Sequence, residues 1–323
     1  MPCSPTAKAG SRSTSQKTKR KEDSEIPDDS NSFALEYRLH ALDRDLHKRF
    51  TDCVFVLQRI LSNYKLLFPE YTDHSELHSI TVVQFCNLLI GDQLKRLNKH
   101  EIYVLLSGCY FHDTGMGITQ KDFEAFSRKI AFGDYFEKHP NATPAEQIRD
   151  FHNEYSGLFL RKYAALFEFP SDVHLQAVIQ ISRGHRKTDL RDESAYPTAL
   201  PTPDGATICL PYLAALLRLA DEIDVTAARN PKLLYDLEAI TDDHQLFEHK
   251  RHRAVRDLVI DRDSFTLLID DSDPVVCGMI QRMADKMQQT LDTCREAVNG
   301  RTPFEITQSR VLLHPVGPDG PGV

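Results

Sequence analysis

Six residues of this chain have the side chains and the spacing to hold metal ions: His78, His112, Asp113, His152, His185 and Asp221. Apart from the adjacent His112 and Asp113, they follow one another at steps of about 33 to 40 residues, the length of one helix plus a connection, so in a bundle of antiparallel helices they can return to one end. Imidazole nitrogen and carboxylate oxygen suit Mn, Fe or Zn, and a centre with open positions can turn a bound water into a nucleophile. In "FHDTGMG" (Phe111 to Gly117) the aspartate of the doublet could bridge two ions while the histidine holds one. A single histidine among 14 is more often structural than functional. It is the joint pattern that points to a centre.

The elements that must carry these residues read as helices. From Phe33 to about Tyr64 apolar residues recur at three- and four-residue intervals, as in one long helix or a broken pair. "HSITVVQFCNLLIGDQL" and "NKHEIYVLLSGCYFHDTG" follow; the second starts at Asn98, has Glu101 three residues on, and stops at Gly115. "ITQKDFEAFSRKIAF" is shorter, with Thr119 as its cap. Thr143, Pro144 and Glu146 form a full start signal for the helix bearing His152. Ser171 caps the helix that ends near Gly184, just before His185, and "LPYLAALLRLADEIDVT" closes on Asp221, Glu222 and Asp224. Beyond about Pro231 the pattern changes to a hairpin turning at Asp261 to Asp263, a helix ended by Gly300 and one more strand in "FEITQSRVLLH". The expected fold is mainly α, a helical domain over 33–230 with a small α+β appendage over 231–315, between disordered tails at 1–32 and 316–323.

Composition narrows the function classes. At 41% hydrophobic and 27% charged residues, with mean hydropathy −0.40, the chain has the make-up of a soluble globular protein, and no apolar stretch is long enough for a membrane helix. Seven scattered cysteines without a C-x-x-C pair argue against a disulfide framework and a thiolate zinc site, which fits a cytoplasmic setting. The basic, Ser-rich opening lacks the apolar core of a secretory signal. A net charge of −8 argues against duplex DNA as a partner. Local basic clusters can still attract small anions: Arg183, Arg186, Lys187 and Arg191 flank His185, Arg149 lies one turn before His152, and "HKRHR" (His249 to Arg253) either lines the same mouth from the appended domain or, the reading preferred, sits on the surface.

The ordered set of "HSITVV", "FHDTGMG", "RDFHNEYSG", "SRGHR" and "LLRLADEID" resembles the HD-domain superfamily of metal-dependent phosphohydrolases, in its six-ligand, two-metal branch. From "FPEYTDHSELHS" to "FEHKRHRAVRDLVID" the chain is most similar to the bacterial domains called HD-CE, over roughly Phe33 to Pro315. The resemblance implies an HD helical bundle in which His78, His112, Asp113 and Asp221 hold one ion, and Asp113 bridges to another held by His152 and His185. The metals implied are two divalent transition ions, Mn or Fe first, with Ni, Zn or Mg also compatible. It further implies hydrolysis of a phosphoester or phosphoanhydride of a cyclic or linear nucleotide, with attack by a hydroxide between the ions. Arg149, Arg183, Arg186 and Lys187 are then candidates for substrate phosphate. His74, four residues before His78, either protonates the leaving group or simply caps its turn. The Gly-Tyr-Pro signature of the cyclic-dinucleotide phosphodiesterases is absent and Met116 stands where they often carry lysine, which argues against cyclic di-GMP. Two alternatives remain: a di-iron oxygenase of the same fold acting on a small polyol or phosphonate, and a non-catalytic nucleotide-binding regulator. The appendage either sets substrate choice or pairs chains into a homo-oligomer.

Overall fold

The computed structural model describes residues 33–61, 76–186, 188–226, 243–270 and 272–316. Two helices are buried almost all round and form the axis of the bundle. They are α4 (Lys99–Phe111), buried at every position from His100 onward, and α9 (Leu210–Glu222), buried from Leu210 to Ala220. A helix that is apolar on all sides is stable only when wrapped by others. Around α4 pack α1 (Ala34–Leu42), α2 (Arg44–Leu61), α3 (Glu76–Ile90) and α8 (Asp172–Gly184), while α9 packs on α3, α4 and α8. The short α5 (Gln120–Ser127) and α6 (Tyr135–Lys138) lead into α7 (Pro144–Tyr163), which lies against α8.

Local chemistry accounts for several starts. Asn98 and Glu101 form a complete capping box on α4, and Thr143 and Glu146 do the same on α7, with Pro144 at the first helical position. Thr119 accepts from the Asp122 N–H at the head of α5. The Phe33-to-Tyr64 stretch is a broken pair within the described residues, since Asp43 is extended (φ −158°, ψ 103°) and its carboxylate accepts from the N–H groups of Asp45 and Leu46. Two expectations need correction. Gly115 does not stop α4, which ends at Phe111 with His112 as its cap and is followed by a 3-10 turn over Thr114–Gly117. Ser171 occupies the N-cap position of α8, but its hydroxyl bonds the His174 ring instead of a backbone N–H.

The connection from α8 to α9 carries a minimal ladder, β1 (Leu200–Pro201) against β2 (Thr207–Ile208). After α10 (Asp243–Ala254) come β3 (Val255–Ile260) and β4 (Ser264–Asp270) as an antiparallel hairpin, then α11 (Pro274–Val298) and β5 (Arg310–Val316), which adds parallel to β4. The sheet order is β3-β4-β5. At 1.5 Å per residue α11 is about 37 Å long, enough to serve two cores. Val276, Ile280, Met283 and Met287 pack with sheet residues Val255, Leu267 and Ile269, whereas Leu291, Cys294, Ala297 and Val298 join the main core. The "HKRHR" run is not a surface patch as a whole: it lies on α10, where His249 and His252 are buried. Among the described residues no helix is long and apolar enough to cross a membrane.

A polar chain closes the first turn of α4. The Ser171 hydroxyl donates to His174 Nδ1 (2.8 Å), His174 Nε2–H to His100 Nδ1 (2.9 Å), and His100 Nε2–H to Asp204 (2.9 Å), so both rings are satisfied when neutral. Burial, then the neighbouring His100, pushes His174 down to about 4 from an ordinary 6.5. Because the unfolded chain takes up this proton first, the stability due to neutral His174 is complete above about pH 6.5 and lost as pH falls toward 4, by at most about 3 kcal/mol. Urea unfolding at pH 7 and 4.5 should therefore show a smaller acid loss for His174→Gln than for the wild type. Equal losses would contradict this.

Candidate metal centre

His112 caps the C-terminal end of α4, about 18 Å from His100 at the helical rise, and here the predicted residues meet. His78 comes from the first turn of α3, His152 from the middle of α7, His185 from the cap of α8, and Asp221 from the last turn of α9. His78 Nε2 lies 3.2 Å from His112 Nε2 and 3.2 Å from Asp221 Oδ1. Asp113 turns Oδ2 toward this pair, 3.4 Å from His112 and 3.6 Å from His78, and Oδ1 toward His152 Nε2 at 3.3 Å. His152 Nε2 faces His185 Nε2 at 2.8 Å. Two groups, His78 with His112 and Asp113, and Asp113 with His152 and His185, are each compact enough to hold an ion, and all five residues are buried.

The rings are aimed by their outer nitrogens. His112 Nδ1–H donates to Cys109 O (2.9 Å), His152 Nδ1–H to Arg149 O (2.6 Å), and His185 Nδ1–H to Ser182 O, in each case the carbonyl three residues back. His78 Nδ1–H donates instead to the Asp224 carboxylate at 2.6 Å. Each such bond fixes the tautomer, leaving a lone pair on Nε2. Lone pairs facing at 2.8 and 3.2 Å repel unless a cation sits among them, so this donor set fits divalent metal.

Electrostatics agrees with that reading. Burial, then the positive charge of Arg186, holds His152 well below its ordinary value, and burial with neighbouring His112 takes His185 down to about 4. Burial pushes Asp221 up, but the hydrogen bond to His78 and the fields of His112 and His185 outweigh it, holding the carboxyl well below its ordinary range. At neutral pH these ligands are in the state a metal requires.

The cationic candidates separate. Arg183 is given to Glu154, with Nε 3.0 Å and Nη2 2.9 Å from the carboxylate. Arg149 lines a cleft between α6 and α7, and its carbonyl accepts from the His152 ring. Arg186 is close enough for its charge to act on His152, and among the described residues its guanidinium has no hydrogen bond or ion pair. Arg191 pairs with Asp189 and Glu296, away from the ligands. His74 and Lys187 lie outside the described residues.

Sequence reasoning missed several supporting residues. Asp224 stands three positions after Asp221, a spacing that keeps it close to the same end, and that was the available signal. Asp224→Asn should weaken metal affinity about 10- to 100-fold, the usual cost of losing a carboxylate behind a ligand histidine; a competition titration with a chromogenic chelator measures it, and unchanged affinity would refute the role. Arg218, the one charge in the run "PYLAALLRLA", is buried. It donates to the carbonyls of Gly184 (2.7 Å), Arg186 (3.1 Å) and Thr188 (2.8 Å), clamping the segment that carries His185 and Arg186. Ser156 donates to His112 O (2.6 Å) and accepts from Gly115 N–H (2.8 Å), fastening α7 to the turn after the doublet.

Comparison with known proteins gives one match. The family model HD-CE covers residues 68–301, well over half of the chain, and includes every residue of the centre. No curated protein and no solved structure matches.

Proposed function

The chain belongs to the HD-CE family, and from that premise we propose that it is a metal-dependent phosphohydrolase cleaving a phosphoester or phosphoanhydride of a nucleotide. The observation that carries the reading is the pair of opposed imidazole couples joined by the two oxygens of Asp113. His78, His112, Asp113 and Asp221 would hold one divalent ion, and Asp113, His152 and His185 another. Bound ions supply Lewis-acid activation of water and of the phosphoryl group.

The chain's own residues prepare the rest. Asp113 fixes the spacing of the two halves because one carboxylate serves both. His152 and His185, held neutral by burial, leave the carboxylates to balance part of the metal charge. Arg186, unpartnered among the described residues, is the cation best placed to take a phosphate oxygen, and Arg218 holds its backbone. Arg149 is the second candidate, one turn before His152 on α7.

The test is release of nitrophenolate from bis(p-nitrophenyl) phosphate by the full chain loaded with Mn2+ in an oxygen-free vessel, beside Asp113→Ala. Turnover without dioxygen that disappears in the variant supports hydrolysis. Absence of turnover with Mn2+ or Fe2+, or turnover only with Fe2+ and dioxygen, would sink the proposal, the latter favouring an oxygenase.

A further inference from the structure

Beside the centre, between α6 and the first turns of α7, lies a cleft of about 440 Å³ whose walls include Tyr135, His139, Asn141, Glu146, Arg149 and Asp150. It meets the centre through Arg149, whose carbonyl accepts from the His152 ring. Arg149 and Asp150 follow Glu146 by three and four residues, so both neighbour it on one side of α7. At Phe151 the helix is interrupted by a non-helical residue (φ −123°, ψ 19°), and the Phe151 ring packs perpendicular to Tyr135 at 5.1 Å. The aromatic wall of the cleft is thus anchored next to a ligand of the centre.

The wall has the chemistry of a base-binding surface. Tyr135 and His139 stack at 4.8 Å with planes 34° apart, and Phe132 and Phe136 support them from behind. The Tyr135 hydroxyl donates to Asp150 Oδ2 at 3.0 Å, which fixes the carboxylate, and among the described residues Asp150 Oδ1 has no hydrogen bond. Burial and that bond push Tyr135 up to about 12, so it stays a neutral donor. A planar ring could rest on the exposed His139, which Tyr135 backs from the buried side, with its edge toward Asp150 and Asn141. A carboxylate wants two adjacent N–H donors, and an amide can donate to a carbonyl oxygen. Among the common bases, guanine carries that edge, with N1–H and the exocyclic amine beside O6.

We propose that this cleft binds the base of the nucleotide and selects guanine through Asp150 and Asn141, with Arg149 placed between base and metals for a phosphate. The inference rests on the phosphohydrolase reading and names its substrate class. It assigns Asp150, Asn141 and Tyr135 a part in specificity that the metal ligands do not have.

The experiment is calorimetric titration of the Mn2+-loaded full chain with guanosine, inosine and uridine, none of which offers a phosphate to cleave. Guanosine should bind about tenfold or more tightly than inosine, which lacks only the exocyclic amine, as expected for a hydrogen bond to a charged acceptor. Asp150→Asn should erase that difference, and photolabelling with 8-azidoguanosine should mark the segment from Phe132 to Asp150. Equal binding of the nucleosides, no saturable binding, or a label placed elsewhere would overturn the assignment; none of these wild-type results depends on how a variant folds. Hydrolysis of bis(p-nitrophenyl) phosphate, which has no base, reports separately on the chemistry. Turnover without guanosine preference removes the cleft alone, whereas preference without any turnover removes the phosphohydrolase reading and leaves the cleft.

Discussion

Gly115→Ala should empty the His152–His185 half of the centre although it touches no ligand side chain. A Cβ at Gly115 would lie 2.3 Å from His152 O, 2.9 Å from Ser156 N and 2.9 Å from Tyr155 Cβ. Two of these are backbone atoms of α7 and the third is fixed to it, so no flexible side-chain end can move aside. The turn and the helix must separate instead, which breaks the Gly115–Ser156–His112 hydrogen bonds and draws Asp113 away from His152. Overpacking of this kind costs about 1 to 3 kcal/mol or more, and here it falls on the bridge between the two halves. We expect a lowered melting temperature together with loss of the ion held by His152 and His185. A soluble Gly115→Ala protein with full metal content would show that the close approach is not needed.

Arg218→Met is expected to have the second large effect. The substitution keeps an unbranched side chain in the core of α9 and removes the guanidinium bonds to Gly184 O, Arg186 O, Thr188 O and the Thr188 hydroxyl, of which Gly184 O and Thr188 O lose their donor while Arg186 O keeps Thr188 N–H and the hydroxyl keeps Tyr196. Each acceptor left buried without a partner costs about 1 to 3 kcal/mol, so a loss of roughly 3 kcal/mol or more is expected even if some of them find water. The freed segment carries His185 and Arg186, so metal affinity should fall along with stability. Arg218→Lys should recover part of the stability, since one ammonium can reach fewer of the carbonyls. Denaturant unfolding with and without metal checks this, and a variant as stable as the wild type would contradict it.

The meeting of the six candidate residues was legible because its cues are local. Capping boxes at Asn98 and Thr143, and the run from Leu210 to Ala220, set where helices start and end. With those ends in place, residues about one helix-plus-loop apart return to one pole of the bundle. What stayed hidden depends on contacts between elements. Asp224 looks like a solvated helix end until α3 brings His78 against it. Gly115 looks like a helix stop, since glycine is common there, yet its value lies in the passage of α7 over it. Arg183 and Arg186 are alike in sequence, and only Glu154 on α7 separates the neutralised one from the available one. In "HKRHR" the surrounding charges suggested exposure, whereas His249 and His252 turn inward on α10. The boundary near residue 231 falls outside the described residues, and α11, which belongs to both cores, carries no sequence mark of its double role.

The account rests on the centre being dinuclear, and the most direct measurement is elemental analysis of the anaerobically purified full chain beside His152→Ala and Asp113→Ala. The geometry leads us to expect about two ions in the wild type, about one in His152→Ala and almost none in Asp113→Ala. A wild type that carries no ion and takes up none on soaking, or a His152→Ala variant with the wild-type content, would contradict it.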